Sequence, residues 1–379
     1  MNLLDFKAGQ YVQQYQYKSF TPLKVNQEWT WSEPKIHTLL AEANNKLGEL
    51  NAFSIYVPDI DFFIVMHVIK EATTSSRIEG TRTGVDEALL SVNEIDPEKR
   101  DDWEEVQNYI HALNYSIEKL EELPLSTRLL KEAHKILLEG VRGESKMPGE
   151  YRTSQNWIGG ATLKDAVFIP PHHTEVSDLM GDLEDFIHNN KIEVPHLIRI
   201  AIAHYQFETI HPFLDGNGRL GRLMITLFLV SVGLLNKPTL YLSDFFEKNK
   251  PLYYNNLSFV RTSDNLTQWI KFFLVAVIET SDKGIKTFKE ILKLKEKVEG
   301  EKLLSLGKRV HNAKKLISFL YRKPIMNVKE VENLLDITTK PANAIIKEFE
   351  DLGILKEITG YKRNRLFLFE EYYKLFADN

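Results

Sequence analysis

The sequence predicts a mainly α fold that carries one small β-hairpin and ends in a winged helix-turn-helix unit. In most windows of the 379 residues, apolar residues recur at helical spacing rather than in alternation. β-favouring runs bounded by turn residues cluster at residues 156–171. Residues 309–379 show the order helix, helix, helix, strand, which is typical of a winged helix.

The chain is long enough for several domains, and charge marks the last of them. Residues 301–379 hold fifteen Lys and Arg against eleven Asp and Glu, whereas the whole chain has a net charge of -5. We predict an N-terminal helical region at 1–100, a main helical domain at 101–282, a linker helix at 283–308 and the winged helix-turn-helix at 309–379.

Composition excludes several classes of protein. Without cysteine there are no disulfides, thiolate metal sites or cysteine nucleophiles. The N-terminus lacks the basic flank and apolar run of a signal peptide. The longest apolar run, residues 223–235, is shorter than the roughly 20 residues of a membrane span. We therefore expect a cytoplasmic protein without membrane contact.

The elements follow from spacing and from turn residues. A buried helix is predicted at 61–80, with Gly80 suited to its C-cap. The hairpin has Gly159 and Gly160 in its first arm and ends at Pro170 and Pro171. The other predicted helices are 101–121, 125–140, 176–190, 195–209, one opening near Gly218, 266–280, 311–322, 328–335 and 339–352, and a turn and strand follow at 360–368.

The stretch HPFLDGNGRLGR, residues 211–222, concentrates polar chemistry before the most apolar helix. Gly216, Asn217 and Gly218 allow several backbone N–H groups to point one way at a helix N-terminus, which is an anion cradle. Arg219 and Arg222 share a face of the first turn, where cations are disfavoured unless a multiply charged anion binds. A di- or triphosphate supplies that charge, and Asp215 beside it indicates Mg²⁺.

His211 is the candidate general base. A neutral imidazole is well suited to take a proton from a hydroxyl near pH 7, and His211 shares its loop with the carboxylate and the cradle. The same letters also match G-x-G-x-x-G, the dinucleotide fingerprint. That fingerprint needs a preceding strand, whereas residues 195–209 have helical spacing, so we reject a Rossmann site.

These twelve residues resemble the signature of the Fic domain family, HxFx[DE]GNGRxxR, at every fixed position, and the resemblance covers roughly residues 60–280. It implies a Fic-type helical bundle that transfers AMP from ATP to a Ser, Thr or Tyr hydroxyl of a protein, itself included. It further implies that His211 is the base, that Asp215 holds Mg²⁺ and that residues 158–170 form a flap on which the target protein docks. The nucleotide-binding positions it implies are Gly216, Asn217, Gly218, Arg219, Gly221, Arg222, Tyr254 and Leu257.

A second resemblance concerns SSRIEG, residues 75–80, where Glu79 stands at a helix end that disfavours carboxylates. It resembles the family's inhibitory motif, [ST]xxxE[GN], which implies that Glu79 pairs with Arg222, supported by Ser75, and excludes the γ-phosphate. A 100-fold suppression requires about 2.7 kcal/mol, more than the roughly 0 to 1 kcal/mol of an exposed ion pair. We therefore expect a sheltered, bidentate pair.

Alternatives remain open at this point. The same site could remove AMP, with Glu79 orienting water, and a nucleotide other than ATP could be the substrate. Residues 309–379 could bind DNA, or contact a protein or a second copy in a homodimer. In a function of another class, the chain would be a DNA-binding regulator that senses a nucleotide.

Overall fold

The computed structural model describes residues 1–57, 59–141, 143 and 145–377, and in them it is mainly helical, as predicted. Its longer helices are α1 (Pro34–Tyr56), α2 (Ile60–Glu79), α4 (Arg100–Lys119), α5 (Thr127–Leu137), α6 (Val176–His188), α7 (His196–Ile210), α8 (Asn217–Ser231), α10 (Lys250–Ser263), α11 (Leu266–Lys295), α12 (Val310–Arg322), α13 (Val328–Leu335) and α14 (Thr339–Asp351). Short helices are α3 (Val85–Ala88), α9 (Ser243–Lys248) and α15 (Glu370–Tyr373).

The core is built around α7 and α8. Every residue from Leu197 to Ile210 is buried, so α7 is surrounded by other elements on all sides. On α8, residues 219–229 are buried likewise. Trp269 of α11 donates its indole N–H to the Ala201 carbonyl at 2.7 Å, which ties α11 to α7. The turn between α7 and α8 is therefore fixed by the core at both of its ends.

Helix α2 lies between this core and the C-terminal part of the chain. It ends as predicted at Gly80, which adopts the left-handed conformation with φ 111°. Residues 71–76 are all buried, and α2 packs on α4, α8, α9 and α12. Such all-round burial fixes the position of its last turn.

The predicted β-hairpin is a loop closed by one antiparallel bridge, Ile158 to Phe168, rather than two strands. Gly159 and Gly160 both have left-handed φ, 69° and 74°, and turn the chain away from the bridge. The Asp165 carboxylate then accepts the backbone N–H groups of Ala161 and Thr162, each at 2.8 Å. A side chain thus replaces the further rungs of the ladder that two strands would form.

A hairpin that the sequence analysis did not anticipate lies within residues 1–100. Strands β1 (Gly9–Gln13) and β2 (Lys18–Pro22) pair antiparallel, with Gly9 opposite Pro22. The Phe20 N–H donates to the Ile169 carbonyl at 2.9 Å, and the Phe20 and Phe168 rings are in contact. This hairpin therefore supports the base of the 158–170 loop.

Residues 309–377 contain the three predicted helices, α12 to α14, each within one residue of the predicted bounds. A short strand that was not predicted, β3 (Ile325–Asn327), joins β4 (Lys356–Glu357) and β5 (Leu366–Leu368) in an antiparallel sheet of order β3-β5-β4. The helix predicted to end near residue 280 continues to Lys295 and leads into π and 3-10 turns up to Arg309. The domain limits at 100, 282 and 308 stay predictions, as does DNA binding by the last unit.

Within the described part of the chain, no helix has the length and apolar character needed to cross a bilayer.

Candidate active site

The loop from His211 to Gly216 brings the end of α7 and the start of α8 to one cleft. His211 is the C-cap of α7 and adopts φ 50°, ψ 61°, a left-handed conformation that is uncommon for a residue with a side chain. Gly216, with φ 71°, precedes the first residue of α8. Residues held in such conformations cluster at functional sites because the surrounding structure must enforce them.

Three side chains hold this loop in place. Arg152, which is buried, donates to the carbonyls of His211 at 2.9 Å and Pro171 at 2.6 Å. Asn156 donates to the Phe213 carbonyl at 2.8 Å. The Asn217 amide both accepts the Phe213 N–H and donates to its carbonyl, each at 2.9 Å. Asn217 thus fixes the cradle from inside, a role that the motif alone does not reveal.

A histidine outside the motif fastens the loop from α5. The His134 ring stacks on Phe213 at 3.8 Å and accepts the Gly149 N–H at Nδ1. Its Nε2 therefore carries the proton and donates to the Asp215 carbonyl at 3.0 Å. Burial lowers the pKa of His134 to about 4, which agrees with this neutral tautomer.

The structure brings most of the predicted site residues to a cleft of about 310 Å³. Tyr254, half-exposed, and Leu257, buried, line it from α10. Ile158 and Gly159 of the 158–170 loop line it, together with Trp157 directly before the loop. The other predicted residues that line it are Glu79, His211, Asp215, Gly216, Asn217, Gly218 and Arg222.

The protonation states in the cleft suit proton transfer from a hydroxyl. Burial, with Arg152 nearby, lowers the pKa of His211 to about 4, so the ring is neutral at pH 7 and can accept a proton. Burial raises the pKa of Glu208 to about 7, and its Oε2 lies 4.0 Å from His211 Nδ1. Glu208, one turn before His211 on α7, was not predicted as a site residue.

The two signature arginines have different partners. Arg222 donates through Nε to Ser75 Oγ at 2.8 Å, and through Nη2 to the Ser75 carbonyl at 2.9 Å and Glu79 Oε1 at 2.7 Å. Arg219 pairs with Glu105 of α4 at 3.1 Å and does not line the cleft. A phosphate contact of Arg219 stays a prediction.

The Glu79–Arg222 pair joins a fully buried guanidinium to a carboxylate that is 35% exposed. One carboxylate oxygen receives one hydrogen bond, from Nη2, so the contact differs from the bidentate pair expected; Nε and the second Nη2 hydrogen go to Ser75 instead. Burial alone would raise the pKa of Glu79, but the charge and hydrogen bond of Arg222 outweigh it and hold the pKa below its usual value. Glu79 is therefore ionised at neutral pH.

Glycines in the motif make room for these contacts. A Cβ at Gly218 would collide with Glu79 Oε1 and lie 3.0 Å from Arg222 Nη1. A Cβ at Gly221 would collide with Glu208. The Gly221 carbonyl accepts a hydrogen bond from buried His204 at 3.0 Å, so Gly221 serves the packing of α8 on α7.

Asp215 is suited to a cation that is shared with a ligand. Its side chain is half-exposed at the cleft, and Oδ1 accepts the Gly216 N–H at 2.6 Å. Among the described residues, no three His, Asp or Glu side chains cluster as a complete metal site. A single carboxylate fits Mg²⁺, which commonly binds through one or two carboxylates together with substrate phosphates.

The chain is similar to known proteins in two adjoining segments. Residues 37–118 match the Fic/DOC family N-terminal domain and residues 124–229 match the Fic/DOC family domain. The chain is 28% identical over 141 residues to the protein adenylyltransferase Fic of Drosophila willistoni, covering 37% of this chain and 26% of that protein. It is 29% identical over 171 residues to a probable protein adenylyltransferase of Aquifex aeolicus, covering 45% of this chain and 50% of the relative. The chain thus spans half or less of the length of these curated relatives.

The fold also resembles that of two solved protein structures. A Fic family protein from Desulfovibrio desulfuricans superposes with a TM-score of 0.56 at 20% identity, covering 90% of this chain and 98% of that one. A Fic domain containing signaling protein from Bacteroides thetaiotaomicron gives a TM-score of 0.52 at 19% identity, with 67% and 97% covered. By the two matched segments and the complete signature, residues 37–118 and 124–229 of this chain are a Fic N-terminal domain and a Fic domain.

Proposed function

We propose that this protein transfers AMP from ATP to hydroxyl groups of proteins and that Glu79 holds it inactive. The observation that carries the proposal is one cleft in which a neutral His211, the glycine turn before α8 and Arg222 converge. The two relatives described above carry the name protein adenylyltransferase.

The ATP phosphates would lie against the N-terminus of α8, where the backbone N–H groups of residues 216–218 and the helix dipole favour anions. A target hydroxyl attacks the α-phosphorus and its proton passes to a ring nitrogen of His211. The new bond joins the hydroxyl oxygen to phosphorus, the bond to the β-phosphate oxygen breaks, and pyrophosphate leaves. Mg²⁺ held by Asp215 would neutralise phosphate charge during this step.

The 158–170 loop is the surface we assign to the target protein. It borders the cleft; Val167 within the loop is 77% exposed, and Trp157, directly before it, is 38% exposed. Large apolar side chains exposed beside a site are typical of protein contacts. Pairing of a target segment along the loop backbone would bring its hydroxyl toward His211.

The proposed inhibition by Glu79, called the brake below, follows from the position of its side chain. Its carboxylate lies against Gly218 and Arg222, where the terminal phosphate would otherwise bind. An anion placed there would meet a like charge and would find Arg222 already paired. Because that guanidinium is buried, taking its carboxylate partner away costs about 3 to 5 kcal/mol, which covers the roughly 2.7 kcal/mol of a 100-fold suppression.

The test compares the parent protein with Glu79→Gly, His211→Ala and the double variant, each incubated with Mg²⁺ and ATP. Mass spectrometry measures AMP on the protein itself and on added lysate proteins. We expect Glu79→Gly to raise AMP incorporation at least about tenfold. In the double variant, His211→Ala should abolish this increase. Glu121→Gly, which removes an exposed glutamate just beyond the end of α4, is the matched control and should leave incorporation unchanged.

Each of the other possible outcomes would contradict a different part of this proposal. Equal incorporation in parent and Glu79→Gly would overturn the brake. Loss of AMP from previously modified protein, rather than gain, would favour the removal reaction. Nucleotide binding without any turnover in all variants would favour a sensor.

A further inference from the structure

Arg261 lines the active-site cleft but takes no part in the AMP transfer derived above. It lies in the last turn of α10 and shares the cleft wall with Tyr254 and Leu257 of the same helix. The three positions are spaced i, i+3 and i+7, which places them on one face of the helix. Arg261 therefore faces the same space as the two residues predicted to contact the nucleotide, about one helical turn further along α10.

The guanidinium of Arg261 is largely unpaired. Among the described residues, the one hydrogen-bond acceptor it has is Ser258 Oγ, 3.3 Å from Nη2, and no carboxylate lies within 4.0 Å of it. The carboxylate of Asp264 in the next turn of chain is occupied by Lys7 Nζ at 2.9 Å and the Ala8 N–H at 2.8 Å. Burial lowers the pKa of Arg261, and the charges around it compensate for the lost hydration only in part.

Arg261 also contacts the 158–170 loop. Its guanidinium carbon lies 3.8 Å from the centroid of the Phe168 ring, a cation–π contact. Phe168 belongs to the antiparallel bridge at the base of that loop. Burial and Arg152 lower the pKa of His211, and the charge of Arg261 adds to this effect. Arg261 is thus in contact with the loop assigned to the target protein and near the proposed base.

The free N–H groups of Arg261 call for an anionic partner. A guanidinium binds a carboxylate through two parallel hydrogen bonds, and such charge-assisted pairs are strong. Glu208 is near enough to act on Arg261 by its charge, but it forms no ion pair with it and is partly neutral at pH 7. The ATP phosphates already have the N-terminus of α8 and Arg222. The contact with the loop therefore favours a carboxylate that the target protein supplies.

We propose that Arg261 selects target segments that carry an aspartate or glutamate two positions from the modified hydroxyl residue. The proposal rests on the proposed function, which places the target segment along the 158–170 loop. In an extended segment, side chains alternate, so residues two apart point to the same side and lie about 7 Å apart. When the hydroxyl faces His211, the side chain two positions away faces the cleft and Arg261, whereas its immediate neighbours face away.

The first test is peptide binding to the full chain with the Glu79→Gly change, measured by fluorescence anisotropy without nucleotide. Each labelled peptide has a central serine and carries Asp or Asn at both positions two residues from it. We expect the Asp peptide to bind at least about tenfold more tightly than the Asn peptide, as one charge-assisted pair allows. A peptide of the same charge, with Asp at both adjacent positions instead, should bind like the Asn peptide.

Variants of Arg261 test whether this side chain produces the preference. Arg261→Gln should lower the affinity for the Asp peptide to that for the Asn peptide and leave the latter unchanged. Arg261→Lys keeps the charge but loses the forked donors, so its preference should be intermediate. Arg100→Gln, which changes an exposed arginine at the start of α4 outside the cleft, is the matched control and should keep the full preference.

Calorimetry with Mg²⁺ and ATP separates the target from the nucleotide. Arg261→Gln should bind ATP within about twofold of its Glu79→Gly parent. Weaker ATP binding together with an intact peptide preference would assign Arg261 to the nucleotide and overturn the proposal. Equal loss of affinity for the Asp and Asn peptides would show a structural role and overturn it as well.

The peptide results can contradict the proposal in other ways. Equal binding of the Asp and Asn peptides, or no binding of either, would overturn it. So would a preference that survives in Arg261→Gln or that extends to the peptide with adjacent Asp residues. None of these measurements requires turnover. Missing AMP transfer in Glu79→Gly would therefore count against the proposed function alone.

Discussion

At the scale of single residues, Glu208 is the group whose ionisation we expect to matter most. Burial raises its pKa to about 7, so in the folded protein it is partly neutral at physiological pH. An unfolded glutamate has a pKa near 4.3. The folded protein therefore binds more protons than the unfolded chain between these values, and this carboxyl makes stability fall as pH rises through that window.

Glu208→Gln should remove this dependence, because the amide keeps the shape of the neutral acid. Relative to the parent, the variant should gain stability from pH 5 to pH 8, by up to about 3 kcal/mol. Urea unfolding at several pH values measures the difference. The lowered pKa of His211 makes stability rise with pH. Both proteins contain His211, so this contribution cancels when their stabilities are subtracted. Parallel curves for the two proteins would refute the assignment.

The motif residues could be predicted because their order along the chain already implies their geometry. Gly216 to Gly218 must turn, and Arg222 must lie one helical turn further on. The partners that complete the site come from distant segments: Arg152 from the stretch before the flap, Glu105 from α4 and His134 from α5. Burial and pairing decide their roles, and neither leaves a periodic signal in the sequence.

At the scale of elements, the last turn of α2 is held from outside as well as by Arg222. Lys250, at the start of α10, donates to the Ile78 carbonyl at 2.6 Å, beside Glu79. This bond stabilises the end of the helix, where carbonyls lack partners within the helix. By stabilising the helix end that carries Glu79, Lys250 therefore supports the brake.

We expect Lys250→Met to loosen this turn and to raise AMP incorporation by a few-fold, less than Glu79→Gly does. Charge-assisted hydrogen bonds contribute about 1.5 to 3 kcal/mol, and the Arg222 contacts remain in the variant. Amide exchange of residues 75–79 should accelerate in parallel. Lys286→Met serves as the control, and equal behaviour of the two lysine variants would exclude a role for Lys250.

Helices were predictable where apolar spacing is strong, and α13 has the predicted bounds. The two hairpin regions were not. In β1, Gln10 and Gln13 flank Tyr11 and Val12 without alternation, and pairing with β2, whose Phe20 contacts Phe168, decides the strand. In the 158–170 loop, the Asp165 side chain caps the turn that a ladder would otherwise close. Both outcomes depend on contacts that local propensity does not contain.

At the scale of the whole molecule, the C-terminal unit braces the first half of the helix that carries the brake. Phe63 of α2 packs against Tyr321 and Tyr372 with ring centroids 5.3 and 6.4 Å apart. Arg322 lies over the Phe62 ring at 4.1 Å. Since α2 is one continuous helix, displacement of its first half changes the position in which Glu79 meets Arg222.

Phe63→Ala tests this coupling. Removing the fully buried Phe63 ring should lower the free energy of unfolding by about 3 to 5 kcal/mol. The cavity that the substitution creates would lie between α2 and the C-terminal unit. Phe367→Ala is the matched control, because Phe367 is equally buried but sits in β5, inside the C-terminal sheet. Both variants should lower the unfolding midpoint in urea. Only Phe63→Ala should accelerate exchange at residues 75–79 and raise AMP incorporation, since only it frees α2 from its brace. If the two variants changed exchange and incorporation alike, the effect would follow lost stability rather than the contact with α2.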